Sequence, residues 1–127
     1  MNIIIGEKNA EEARDKYTVL ELDTFSTDDG GTVTAYCLLE LDAMEDLFTL
    51  QQFRDLHQNL MKNYRLKNWN FCEQALEHLR GRWRGEVDSF YDDLASRVTA
   101  LRLQPPGEDW DGTMHKSMST PLAPTML

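Results

Sequence analysis

Hydrophobic and polar positions change period twice along the chain. Between Thr18 and Phe25 the stretch TVLELDTF alternates, with Leu20 and Leu22 facing one way and Glu21 and Asp23 the other. From Thr32 to Leu41, TVTAYCLLEL alternates again, placing Val33, Ala35, Cys37, Leu39 and Leu41 on one face. The intervening STDDGG is built from residues that tolerate turn geometry, so the pattern predicts a β-hairpin. Upstream, the run from Asn2 to Ile5 stops at Gly6 and predicts a short buried strand. Asn9 and Glu12 have the spacing of a capping box, which predicts a brief helix to about Lys16.

After Asp42 the period becomes helical. Leu50, Phe53, His57, Leu60, Met61 and Tyr64 form one stripe, with Thr49 and Gln52 spaced as a second capping box. Phe71 or Cys72, then Ala75, Leu76, Leu79 and Trp83, form another. Val87, Phe90, Tyr91, Leu94, Val98 and Leu101 complete the third. Helices with one apolar face each are expected to pack on one side of the sheet or on one another. Beyond Leu103 the segment QPPGEDWDGTMHKSMSTPLAPTML holds all four prolines and no sustained period. The expected fold is therefore α+β: a small antiparallel hairpin sheet plus an N-terminal strand packed against about three helices, with an extended C-terminal arm. Residues 1–103 would form the domain and 104–127 the arm.

Composition adds a charge asymmetry to this picture. The 127 residues leave room for one core. The net charge of -9 resides in the first half, where twelve acidic residues through Leu50 face three basic ones; ten of each follow. Such a half repels phosphate backbones and favours basic partners, or simply keeps the protein soluble. Cys37 and Cys72 lack CxxC spacing and read as buried free thiols in a reducing cytoplasm. The first residues lack the length and basic flank of a signal peptide, and no run approaches the ~18 apolar residues of a spanning helix. A cytoplasmic protein with no membrane role is the expectation.

Candidate chemistry is sparse. The stretch HLRGRWRGEVDSF, residues 78–90, puts three arginines and a tryptophan around two glycines. Arg80, Arg82 and Arg84 could clamp phosphates with Trp83 as a stacking platform, helped by Lys62, Arg65 and Lys67. Alternatively, Arg80 closes a helix, Gly81 caps it in a left-handed conformation, and Gly85 begins the next helix. In that account Glu86, Asp88, Asp92 and Asp93 suit the start of the second helix and pair with the arginines. The helix-boundary account explains the glycines and acids as well, which weighs against nucleic acid as the partner. Asp88 and Asp92 lack the further ligands of a metal site, and His57, His78 and His115 lack zinc-pair spacing. GxSxG, GxxxxGK[ST] and GxGxxG do not occur. No catalytic residue, metal or cofactor is assigned; an enzyme would need a site assembled from residues such as His57, Asp88 and Asp92. In the arm, Trp110, Met114, Met118, Leu122, Met126 and Leu127 are spaced by Pro, Gly, Ser and Thr, as in a docking peptide.

Taken together, LELDTF with VTAYCLLE, and NWNFCEQALEHLRGRW with GEVDSFYDDLASRV, resemble a family of small proteins from T4-like marine phages that infect cyanobacteria. The likeness spans about Met1 to Arg102. That family carries no assigned activity, so the resemblance gives no residue a role. It implies a bacterial cytoplasm during infection, and a virion component or an accessory that binds host or phage machinery. The expectation is a non-enzymatic interaction protein whose partner is another protein or a second copy of itself. Its expected contact residues are Arg80, Arg82, Trp83, Arg84, Trp110, Met114, Met118 and Leu122. Nucleic-acid binding through the turn, and an enzyme, are the alternatives.

Overall fold

The two alternating runs form a hairpin in the computed structural model, which describes residues 2–40 and 46–114. In chain order the elements are β1 (Asn2–Ile5), α1 (Glu7–Ala13), β2 (Tyr17–Ser26), β3 (Thr32–Glu40), α2 (Leu47–Arg65), α3 (Trp69–Leu79) and α4 (Asp88–Leu103). A 3-10 turn, Trp83–Gly85, connects α3 to α4. The architecture is α+β, with an antiparallel sheet in the order β1-β3-β2. Leu20 and Leu22 of β2 share a buried face with Ala35, Cys37 and Leu39 of β3. The apolar stripes of the three long helices close over that face through Leu60, Met61, Leu76, Leu79, Tyr91, Leu94 and Val98. On the opposite face lies α1, with Ala10 buried and Glu7 accepting the Tyr36 hydroxyl.

A bulge between Glu21 and Thr24 shifts the β2–β3 register. There Asp23 receives a bidentate bond from Arg97 of α4, at 2.8 Å to each oxygen. Arg97 also bonds Asp93, while Arg65 of α2 pairs with Glu21. Two acids of the negatively charged half are thus neutralised by cations of the second half. Burial pushes the thiols of Cys37 and Cys72 up to about 11, which keeps both protonated at neutral pH.

Three local expectations need correction. The first strand is present but is not buried: Ile3 is 51% and Ile5 49% exposed. They pair with Cys37 and Ala35, yet β1 is an edge strand and none of its residues joins the core beneath the helices. The first helix begins at Glu7 rather than after Asn9, whose side-chain amide donates to the Ile5 carbonyl instead of capping (2.9 Å). The first long helix, α2, is capped by Asp46, which accepts from the amide and hydroxyl of Thr49. Both Asp and Thr are good caps, and the aspartate three residues upstream reaches the free amide first.

The segment after Leu103 packs on the domain as far as Met114. Trp110 stands edge-on to Tyr64 and Trp69, with ring centroids 5.2 and 5.7 Å away. Lys67 donates to the Gly107 carbonyl (2.9 Å). Gly112 adopts φ +86°, and a Cβ there would sit 3.2 Å from Arg65 Cγ, so this close crossing requires glycine. Met114 then adds to the β2 edge, donating to the Thr24 carbonyl (2.7 Å) and accepting from the Ser26 amide (2.9 Å). Met118, Leu122, Leu41 and the last residues of the arm lie outside the described residues. Among those described, no helix is long and apolar enough to cross a membrane.

Candidate functional site

The turn between α3 and α4 is built as the helix-boundary account requires. Gly81 and Gly85 take φ +88° and +76°, in the region open to glycine. The Gly81 amide donates to Asp88 Oδ1 (2.8 Å), and Arg80 reaches Asp92 (2.9 Å). The Arg82 guanidinium lies over the Phe53 ring at 3.8 Å from its centroid. Trp83 and Arg84 both sit at φ +56°, a strained conformation for side chains of this size. Together Arg82, Trp83 and Arg84 line a cavity of about 260 Å³, which Glu40 and Glu86 also line. Thr18 lines the same cavity, and its hydroxyl is buried without a hydrogen-bond partner among the described residues.

A buried relay holds the strained tryptophan. His57 is 1% exposed; its Nε2 faces the Glu21 carbonyl at 2.6 Å, and its Nδ1 faces the Tyr91 hydroxyl at 2.9 Å. A carbonyl only accepts, so Nε2 carries the proton and Nδ1 accepts from Tyr91. The Tyr91 oxygen in turn accepts from Trp83 Nε1 (3.0 Å). Every donor has an acceptor in one consistent direction. Burial pushes the His57 pKa down to about 4, opposed by the bond to Glu21, so the ring is neutral at physiological pH. Both ring nitrogens are thereby engaged in positioning; His57 lines the second cavity described below, and Asp88 and Asp92 line neither that one nor the cavity beside the turn.

A second, larger cavity of about 410 Å³ lies along the free edge of β2. The Glu21 carbonyl points outward to His57, so by the alternation of an antiparallel strand the main-chain groups of Val19 and Tyr17 point outward too. These residues form the floor of the cleft. Glu7, Arg14 and Tyr36 form one side, and Gln51, Arg54, Asp55 and Gln58 of α2 the other. Burial, reinforced by the bond to Glu7, pushes the Tyr36 pKa up to about 12, so its hydroxyl remains a donor. Glu21 is held by Arg65, and Asp55 accepts from Gln51 (2.8 Å). Arg54 differs from its neighbours: its Nε is buried and has no hydrogen-bond partner, and it makes no ion pair among the described residues.

Of the expected contact residues, Arg80, Arg82, Trp83 and Arg84 come together, but Trp110 and Met114 lie elsewhere, one against Tyr64 and Trp69 and the other on the β2 edge. Arg54 and the open strand edge carry no sequence motif. The only signal at Arg54 is a cation beside the buried stripe of α2, flanked by Gln51, Asp55 and Gln58. No group of three or more His, Cys, Asp and Glu among the described residues could hold a metal ion. No family model, curated protein or solved structure matches the chain.

Proposed function

We propose that this is a non-enzymatic interaction protein and that its binding element is the open end of the β2 edge. Arg54 carries the reading. Arg65, Arg80, Arg97 and Arg102 each have a carboxylate, whereas Arg54 has a buried N–H without an acceptor among the described residues, at the side of the cleft. Leaving a buried donor unmatched costs about 1–3 kcal/mol, a cost that is removed when the Arg54 side chain turns toward a ligand's acceptor in the cleft it lines. The infected bacterial cytoplasm, with host or phage machinery as the partner, belongs to the same proposal. The phosphate-clamp alternative draws little support from the turn, where Asp92 holds Arg80 and Phe53 lies beneath Arg82.

The test is affinity capture by the full chain from cyanobacterial lysate, with and without infection, beside a Val19→Pro variant. Proline there removes an outward N–H and leaves the ladder to β3 intact. The expected result is a partner retained by the natural chain and lost by the variant. Equal retention by both would contradict the assignment of binding to this edge.

A further inference from the structure

Resting on that reading of the cleft, we infer that it takes an extended peptide segment bearing one acidic side chain, which adds as a strand along Tyr17–Val19 and sets its carboxylate on Arg54. The floor dictates the extended form. Outward main-chain groups recur every second residue, roughly 7 Å apart, a spacing that another strand matches group for group. The chain already uses this mode on the same edge, since Met114 pairs with Thr24 and Ser26 through its own main chain. His57 occupies the Glu21 carbonyl between the two places, which leaves Tyr17 and Val19 as the stretch an outside strand can reach.

Arg54 dictates the acid. A guanidinium presents a planar fork that fits a carboxylate, and an unmatched one beside a cleft selects for it. The nearby acids are engaged: Glu21 by Arg65, Glu7 by Tyr36 and Arg14, and Asp55 by Gln51. The carboxylate must therefore come from the ligand. A single acidic side chain fits better than an acidic run or a nucleic acid, because the net charge of -9 repels polyanions and, among the described residues, Arg54 is the one cation of the cleft without a carboxylate.

Selection from a random heptapeptide display library on the full chain tests this, with Arg54→Gln and Val19→Pro run in parallel and each variant checked for native circular dichroism. The natural chain is expected to enrich Asp or Glu at one fixed position. Arg54→Gln should lose that preference, and a synthetic peptide of the enriched sequence should bind it about tenfold more weakly. Val19→Pro should enrich nothing. The inference is overturned if the natural chain enriches no sequence, if Arg54→Gln retains the acid, or if Val19→Pro retains the same peptides. A micromolar dimer that Val19→Pro converts to monomer would give the cleft to a second copy and also overturn it. Lysate capture that depends on Val19 without any acidic preference would spare the cleft as the binding element and remove only the acidic strand.

Discussion

At the turn between α3 and α4, Arg80 reaches Asp92 and Arg82 lies on Phe53, while on α2 the guanidinium of Arg54 borders a cleft with its Nε unmatched. The turn concentrates its cations in sequence, and although they stay exposed, Arg80 is engaged by an acid and Arg82 by an aromatic face at a helix boundary. Among the described residues the cleft has one cation without a carboxylate, Arg54, beside an open strand edge. Density of charge along a chain therefore says little about charge available to a partner. What decides is whether neighbouring elements bring a matching group.

If the turn is structural, its supports should carry stability. The largest effect is expected for His57→Ala, which leaves the Glu21 carbonyl and the Tyr91 hydroxyl without their partner and opens a cavity in the core. A loss of about 4 kcal/mol in urea unfolding is expected; a loss below about 1 kcal/mol would detach the turn from the relay. Acidification should act through the same residue. The pKa of His57 is lowered in the folded state to about 4 from 6.5, so the unfolded chain takes up its proton first as pH falls. Stability should be intact above pH 6.5 and drop by roughly 3 kcal/mol toward pH 4, a decline that is smaller in His57→Gln. Urea midpoints measured across that range check it.

Smaller effects separate the two arginine sites. Arg82→Ala gives up the stacking on Phe53 and should cost about 1 kcal/mol. Arg54→Ala gives up no paired contact and removes the buried unmatched donor, so it should cost nothing and raise stability by about 1 kcal/mol. Urea unfolding of the pair is the check, and the reverse order would make Arg54 the structural cation.

Much of the fold was legible because periodicity encodes faces. Leu20 with Leu22, Ala35 with Cys37, and the stripe from Leu50 to Tyr64 are buried as their spacing requires, with Phe53 half-buried at its margin. The glycines and acids around Arg82 also announced a helix boundary. The exposure of Ile3 and Ile5 was not legible, since it follows from β1 taking the edge in the order β1-β3-β2, which no local pattern specifies. Asp46 and Thr49 are both competent caps, and only the geometry chose between them. The candidate site was the least legible part: Arg54 stands out by having no hydrogen-bond partner for its Nε among the described residues, and His57 and Met114 cover only part of the β2 edge.

The openness of that edge can be measured at one amide. Native-state hydrogen exchange followed by NMR compares the Val19 N–H, which points into the cleft, with those of Thr18 and Leu20, which face β3. The account predicts that Val19 exchanges faster than both by about two orders of magnitude in the unliganded protein. Protection of Val19 equal to that of Leu20 would mean that the edge is already closed, and would contradict the assignment of binding to it.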